Sequence, residues 1–405
     1  MLHDLQRHEP LSDASWDPDV ARAAIAAITA EAIATFSPEH LWPTHPLDDE
    51  GEAAPLPMMY CGAAGVIFAL ARLARAGILA ALHDFRSHLD DLERRNLALA
   101  PSWGHGADGL LMGRAGQLLL QHRLSPSPAV EDALAASIAA NAQSPALDLI
   151  WGIPGTMHVA LDVHERTSDA RFAALFRAGA QTLAAALVQV EAPPCRMWAE
   201  VTGSARRFYV GAAHGFAGPA SAIVRGLGLL PPDEQAAWTD LIVTTLGATA
   251  LHDGLSVNWP GEVAPPKGLP EKKLIQWCHG APGVITSIGA LPDRRLDALL
   301  TAAGEAVWAA GPLRKGAGLC HGTAGNGYAL LMLHQRTGEP RWLDRARAFA
   351  MHAIAQIGAE RARHGRGRIS LYTGDLGVAL YLADCLTGRP VWPLLAPEIV
   401  QQVND

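Results

Sequence analysis

Apolar segments recur along the chain, and a short glycine turn precedes each of them. After Gly325, the segment YALLML at residues 328–333 is apolar on nearly all sides, as a buried helix would be. A break at TGEP follows, and its Pro340 suits the first turn of a second helix. That second helix carries apolar residues at helical spacing, with charged residues between them. The pattern therefore predicts a buried inner helix followed by an amphipathic outer helix.

The Gly-x-x-Gly turn in front of an Ala- and Leu-rich segment occurs seven times. The turns lie at residues 62–65, 113–116, 152–155, 215–218, 280–283, 322–325 and 374–377. Residues 106–109 compete for the second place, but QLLL directly follows residues 113–116, which are therefore preferred. Intervals of about 40 to 65 residues between turns are typical of repeated supersecondary units.

Seven helix pairs that close on themselves predict an all-α fold, an α/α toroid or double-layer α-barrel of about fourteen helices. We expect one domain over residues 1–405, with the repeats at about 58–385 and one preceding outer helix at about 17–36. The turns then all lie at one end of the barrel, because each starts an inner helix. Two longer connections, residues 193–210 and 252–276, are expected to form ordered loops or short hairpins over that end.

Composition and charge narrow the classes of function. The 405 residues are 49% hydrophobic and 18% charged, which is enough to bury a large core. A formal net charge of -8 without a basic footprint argues against a nucleic-acid partner. The beginning of the chain lacks the pattern of a secretory signal, and no apolar run of about 18 residues predicts a membrane span. The five cysteines are few, odd in number and far apart, which favours a reducing, cytoplasmic compartment over a disulfide framework.

Two of the glycine turns carry a thiol beside an imidazole. Residues 277–283 read WCHGAPG, and residues 318–327 read GLCHGTAGNG. Zinc binds thiolate and imidazole in tetrahedral sites, and a catalytic site leaves the fourth position open. Cys278, Cys320 and His321 could supply three such ligands to one zinc ion per chain. A lone cysteine here is more often a small buried apolar residue, but two such turns in register favour a metal site.

These two motifs resemble the signature of the lanthionine synthetase C-like (LanC-like) family, and the seven turns extend the resemblance over about residues 58–385. The resemblance implies a seven-fold α/α toroid with zinc held by Cys278, Cys320 and His321. In the cyclase members, that zinc activates a cysteine thiol of a precursor peptide. The thiolate adds to dehydroalanine or dehydrobutyrine and forms a thioether ring. Thiol activation by zinc is also consistent with general metal chemistry, because a thiol that coordinates a metal is held as its thiolate.

The resemblance also implies two acid-base residues. His214, in the fourth turn, matches the family's active-site histidine. It would exchange a proton with the thiol or protonate the enolate, a role that suits an imidazole near neutral pH. The structural alternative is a helix-capping or core histidine. Asp148 matches an acidic residue of the bacterial cyclases and would orient His214 or another acid-base group, whereas its alternative is a surface aspartate at a helix N-terminus.

Three further residues are candidate contacts for substrate or glutathione. His279 neighbours the metal ligands without being expected to bind the metal, and with Trp277 it resembles the eukaryotic-type family members. Lys315 matches a basic residue associated with glutathione contact in those members, while a solvated cationic loop explains it equally well. Lys272 and Lys273 lie near the place where cyclases often have an active-site arginine.

Three classes of function remain open. The first is a zinc enzyme that adds a thiol to a dehydroamino acid, using either a cysteine of a dehydrated peptide or glutathione. Asp148 favours the peptide cysteine, whereas Trp277 and Lys315 favour glutathione. The chain has no room for a dehydratase domain, so a partner enzyme would supply the dehydrated substrate. The second class is a non-catalytic protein that binds zinc and glutathione. The third is a glycosidase, for which the turns offer no evident pair of carboxylates.

Overall fold

Inner and outer α-helices alternate along the chain. The computed structural model describes residues 2–48, 55–79, 83–100, 106–202, 205–265 and 273–398, and fourteen α-helices lie within these ranges. The inner helices, each preceded by a glycine turn, are α2 (Ala63–Arg75), α4 (Arg114–Leu124), α6 (Ile153–Thr167), α8 (Ala217–Gly226), α10 (Ala281–Ile288), α12 (Thr323–Thr337) and α14 (Asp375–Thr387). The outer helices are α1 (Pro18–Ala34), α3 (Leu89–Leu99), α5 (Pro128–Asn141), α7 (Ala170–Ala185), α9 (Pro232–Thr249), α11 (Asp297–Ala310) and α13 (Pro340–His364).

The inner helices form a closed ring. Each contacts the next inner helix in chain order, and α14 contacts α2, so the first and last repeats meet. Backbone hydrogen bonds link the turns in the same order. The Tyr372 N–H donates to the Tyr60 carbonyl at 2.9 Å, the Tyr60 N–H to Leu111 at 2.9 Å, and the Cys278 N–H to Cys320 at 3.1 Å. The α/α toroid predicted from the repeat is confirmed.

The second glycine of each turn lets the helix start lie directly against the chain before it. A Cβ atom on Gly325 would be 1.9 Å from the carbonyl oxygen of Leu319, and one on Gly283 would be 2.0 Å from that of Trp277. The other five turns make the same contact with the residue six positions earlier. Any side chain would overlap the backbone there, and the repeat is visible in the sequence for this steric reason.

The two helix layers differ in burial as the sequence pattern predicts. In α12, every residue from Thr323 to Leu333 is buried, whereas α13 buries one stripe that includes Trp342, Phe349 and Ile357. The predicted N-terminal helix is α1, and the Asp17 carboxylate caps it by accepting hydrogen bonds from two backbone N–H groups. None of the described helices is both long enough and apolar enough to cross a lipid bilayer.

Short antiparallel strands occupy the two long connections and the residues just before them. The first contains β1 (Val188–Glu191) with β2 (Pro194–Met197), and β3 (Glu200–Thr202) with β4 (Ala205–Tyr209). The second contains β5 (Leu251–Asp253) with β6 (Ser256–Asn258), and then β7 (Glu262–Val263). Strand β7 pairs with β4, where Phe208 is opposite Val263, so the two connections are joined. The short hairpins expected from the length of these connections are present.

The C-terminal ends of the inner helices, opposite the turns, hold buried ion pairs. Arg123 of α4 pairs with Asp162 of α6 and, at 2.7 Å, with Glu398. Arg72 of α2 pairs with Asp384 of α14 at 2.7 Å, and these pairs link neighbouring inner helices. Ions taken out of water require such close partners, because their desolvation is costly. At this end of the barrel, these buried charges are therefore neutralised by partners within the protein.

Candidate metal centre

The fifth and sixth turns bring two cysteines and a histidine together. Cys278 and Cys320 each lie two residues before the first glycine of their turns, and the backbone hydrogen bond between them sets these equivalent positions side by side. His321 follows Cys320 directly. One potential ligand atom from each of the three residues lies within 4.8 Å of the other two. Both thiols are buried and His321 is half-buried, so three predicted ligands are grouped at the turn end.

The fifth turn has a local structure that presents Cys278. Two backbone hydrogen bonds of 3.1 Å between Gln276 and His279 close the chain around it. Gly280 follows with a φ of 104°, in the region that favours glycine, and a Cβ atom there would be 2.0 Å from the carbonyl oxygen of Leu274. The glycine after the Cys-His pair is thus required by backbone geometry.

The pKa values of the two thiols are shifted in opposite directions. Hydrogen bonding from Cys320 holds the pKa of the Cys278 thiol well below its usual range, and a hydrogen bond from His321 acts in the same direction. The pKa of the Cys320 thiol is raised by the hydrogen bond that Cys320 makes with Cys278 and by burial. A second thiolate at this place requires a cation, because two negative charges cannot otherwise be buried together. Two thiolates and an imidazole form a donor set of the kind that suits zinc.

Beside these residues, the fourth turn carries a hydrogen-bonded acid-base pair. His214 Nδ1 lies 2.7 Å from Asp148 Oδ2. The other carboxylate oxygen, Oδ1, accepts hydrogen bonds from the backbone N–H groups of Trp151 at 2.7 Å and Gly152 at 3.2 Å. Asp148 is thereby fixed at the start of α6. Because a carboxylate only accepts, His214 Nδ1 carries its proton toward Asp148, and Nε2 is left for other partners.

The environment of His214 favours its protonated form. Burial lowers the pKa of His214, but the hydrogen bond and negative charge of Asp148 outweigh it, and the net shift is upward. The charges of Glu200 and Cys278 add to that upward shift of the pKa. An imidazole with a raised pKa stays protonated to higher pH, and the Asp148 carboxylate stabilises the imidazolium. The pair is suited to holding and releasing a proton near neutral pH.

Glu200 lies close to the His214–Asp148 pair. The sequence patterns did not predict Glu200 as a site residue. It begins β3, and one of its carboxylate oxygens lies within 4.8 Å of potential ligand atoms of Asp148 and His214. The only signal in the sequence was the unusual length of the connection at residues 193–210, which marks a functional loop without identifying a residue. Strand β3 therefore reaches the turn end and adds a negative charge beside His214.

The three predicted contact residues act on different groups near the turn end. His279 meets the ring of Tyr209 edge-on at 5.8 Å between centroids, and its charge lowers the pKa of Cys278. Lys315 is exposed, yet its charge acts to lower the pKa of Cys320. Lys273 acts instead on the carboxylate of Asp253, at the end of β5. Lys272 lies outside the described residues.

An α/α toroid with two cysteines, two histidines and an aspartate at its turn end defines the class of this protein. A family model described as lanthionine synthetase C-like protein matches residues 50–395. The chain belongs to this family.

Similar proteins agree with that assignment. Glutathione S-transferase LANCL1 of Danio rerio is 35% identical over 185 residues, covering 44% of this chain and 43% of the relative. LanC-like protein GCL1 of Arabidopsis thaliana is 38% identical over 91 residues, 21% of each chain. The matched segments span less than half the length of either relative. The solved structure of nisin cyclase has a TM-score of 0.61 at 15% identity, covers 94% of this chain and 98% of that chain, and shares the fold.

Proposed function

We propose that the protein is a zinc-dependent enzyme that adds a thiol to dehydroalanine or dehydrobutyrine and forms a thioether. The observation that carries this proposal is the grouping of Cys278, Cys320 and His321, with ligand atoms within 4.8 Å of one another. The His214–Asp148 pair on the neighbouring turn supports it, because the addition needs a proton carrier. Membership of the family supports the same chemistry.

Cys278, Cys320 and His321 would hold one zinc ion per chain. When bound, zinc supplies a positive charge that favours the thiolate form of a substrate thiol. Two thiolates and a neutral imidazole bring the charge of the metal and its protein ligands to zero in sum. Burial of both cysteines excludes water from their side of the site and strengthens each electrostatic interaction there.

His214 would carry the proton that the addition requires. The substrate sulfur forms a bond to the β carbon, the carbon–carbon double bond becomes single, and the α carbon takes up one proton. His214 Nε2 accepts the proton that the thiol loses and returns it to the α carbon. Asp148 holds Nδ1 throughout, which fixes the ring and stabilises the imidazolium. Atoms and charge balance without any other reactant.

Two thiols are candidates for the substrate. A cysteine of the same dehydrated peptide would close a ring, whereas glutathione would add to a dehydrated peptide or protein. The cations of Lys315 and Lys273, together with His279 beside the thiols, would suit the carboxylates of glutathione. The Danio rerio relative is named as a glutathione S-transferase, which also favours glutathione as the thiol. In both cases, a separate dehydratase would supply the dehydroamino acid.

The proposal is tested by mass spectrometry of a dehydrated, cysteine-containing peptide incubated with zinc-loaded protein, with and without glutathione. Ring closure leaves the mass unchanged and blocks alkylation of the cysteine, whereas glutathione addition raises the mass by one glutathione. His214→Asn is the matched control, since it keeps the three metal ligands. Glutathione binding without either product would overturn the proposal and favour a non-catalytic zinc- and glutathione-binding protein.

A further inference from the structure

A buried glutamine contacts one of the two cysteines from outside the ligand set. Gln276 Nε2 lies 2.8 Å from Cys278 Sγ, and the side chain is buried. On its other side, Arg7 Nη2 donates a hydrogen bond of 2.9 Å to Gln276 Oε1. A guanidinium can only donate, so the oxygen of the amide faces Arg7 and its NH₂ group faces the sulfur. The orientation of the amide is therefore fixed by Arg7.

We propose that Gln276 is a positioning residue of the metal centre, and that Arg7 of the N-terminal segment holds Gln276 in place. This inference rests on the zinc ligands of the proposed function and concerns how one of them is held. Gln276 itself touches neither substrate nor metal in this assignment. It acts through the sulfur of Cys278, to which it donates a hydrogen bond.

The N-terminal segment, residues 2–9, is anchored firmly enough to do this. The Arg7 carbonyl accepts a hydrogen bond of 3.0 Å from the Arg314 N–H, and the His8 carbonyl accepts one of 2.7 Å from Arg314 Nε. At the start of the segment, Asn258 Nδ2 donates to the Leu2 carbonyl at 2.8 Å. The segment is thus tied to the sixth repeat and to β6, on both sides of the fifth turn.

Asn258 also connects the segment directly to the fifth turn. Its Nδ2 donates to the carbonyl of Leu274 at 3.1 Å, and its Oδ1 accepts from the N–H of Ala281 at 2.8 Å. The two residues flank the turn that carries Gln276 and Cys278. The N-terminal segment, Asn258 and the fifth turn therefore form one hydrogen-bonded unit around one cysteine.

A hydrogen bond to a thiolate ligand has two consequences for a metal site. It fixes the direction of the sulfur lone pairs, and it withdraws electron density that the sulfur would otherwise donate to the metal. A bound metal would then keep more of its positive charge for a substrate thiol.

The test replaces the donor without changing the size of the side chain. Gln276→Glu and Gln276→Met both remove the N–H group, and Gln235→Glu is the control, since Gln235 on α9 donates to the backbone carbonyl of Leu230. The protein is loaded with Co²⁺, and the sulfur-to-cobalt charge-transfer band is recorded. Zinc affinity is measured by competition with a chelator. We expect the band to move to longer wavelength in both Gln276 variants and zinc affinity to fall about 10- to 100-fold.

Arg7→Met provides an independent variant, because it frees the amide without altering the turn. It should move the band in the same direction by a smaller amount, whereas Gln235→Glu should leave it unchanged. An unmoved band in Arg7→Met and in whichever Gln276 variants fold would overturn the inference. A wild-type protein that shows the cobalt band but adds no thiol would overturn the proposed function alone, since the band does not depend on turnover.

Discussion

The two ends of the barrel both bury titratable side chains, but they balance the charges differently. At the C-terminal ends of the inner helices, Arg123 is only 2% exposed and is paired with two carboxylates, those of Asp162 and Glu398. At the turn end, Cys278 and Cys320 are buried beside each other and share protons. The charges at one end neutralise each other within the protein, whereas those at the other end would be neutralised by a bound cation.

This difference separates a structural network from a candidate reactive site. A buried ion that meets its counterion within the protein contributes to the fold and leaves nothing for a ligand to satisfy. Buried thiols that require a cation suit a metal, and under the proposed function an open coordination position of that metal would accept the substrate thiol. Substitutions at the turn end should therefore change zinc content or activity, whereas substitutions at the opposite end should change the free energy of unfolding.

The largest effect is expected from Cys320→Ala, which removes one of two thiolates from the metal site. Purified wild-type protein should contain about one zinc per chain, and the variant should lose most of it because a structural thiolate ligand cannot be replaced by the methyl group. Metal analysis after purification measures this directly. Cys195→Ala is the control, since Cys195 is a buried cysteine on β2. Full retention of zinc by Cys320→Ala would disprove the ligand assignment.

The repeat could be predicted, and the grouping of the candidate metal ligands could be anticipated, because each leaves a local pattern in the sequence. Gly325 and its six equivalents are forced by backbone contacts, and Cys278 and Cys320 stand at equivalent positions before such glycines. The surroundings of the ligands could not be predicted. Arg7 and Gln276 are 269 positions apart in the chain, and only the closed toroid brings them together.

Long connections set a similar limit on prediction. The length of residues 193–210 indicated a functional loop, but no periodicity in it identified Glu200. Its approach to His214 depends on the pairing of β3 with β4 and of β4 with β7. Strands β4 and β7 are distant in the sequence, and the pattern of either short strand alone does not specify how they pair.

The second effect in size is expected from His214→Asn. The variant should keep its zinc, because His214 is outside the proposed ligand set, and should lose about 10²- to 10⁴-fold in the rate of thiol addition, the usual contribution of an acid-base group. The rate is measured with the dehydrated peptide, and zinc content is determined on the same sample. An unchanged rate would reduce His214 to a structural role at the turn end.

Arg123→Met examines the opposite end. The substitution removes the most buried cation from Asp162 and Glu398, which keep Arg166 as a shared partner. The free energy of unfolding should therefore fall by about 3 kcal/mol, the lower end of the range for a broken buried pair. Zinc content should not change. Chemical denaturation measures the stability, and Arg22→Met is the control, since the exposed Arg22–Asp19 pair contributes less than about 1 kcal/mol. Loss of zinc from folded Arg123→Met would show that the two ends are not independent.

The smallest effect is expected from Asp148→Asn, which keeps the shape of the side chain and removes its charge. In the wild type, Asp148 raises the pKa of His214 against the opposing effect of burial. Without that charge the pKa of His214 falls, so the neutral imidazole that accepts the thiol proton persists to lower pH. The acid limb of the pH–rate profile should therefore move to lower pH. A charge-assisted hydrogen bond contributes about 1.5 to 3 kcal/mol, so the rate at neutral pH should fall by at least about tenfold. An acid limb that stays at the wild-type pH would show that Asp148 does not control the proton on His214.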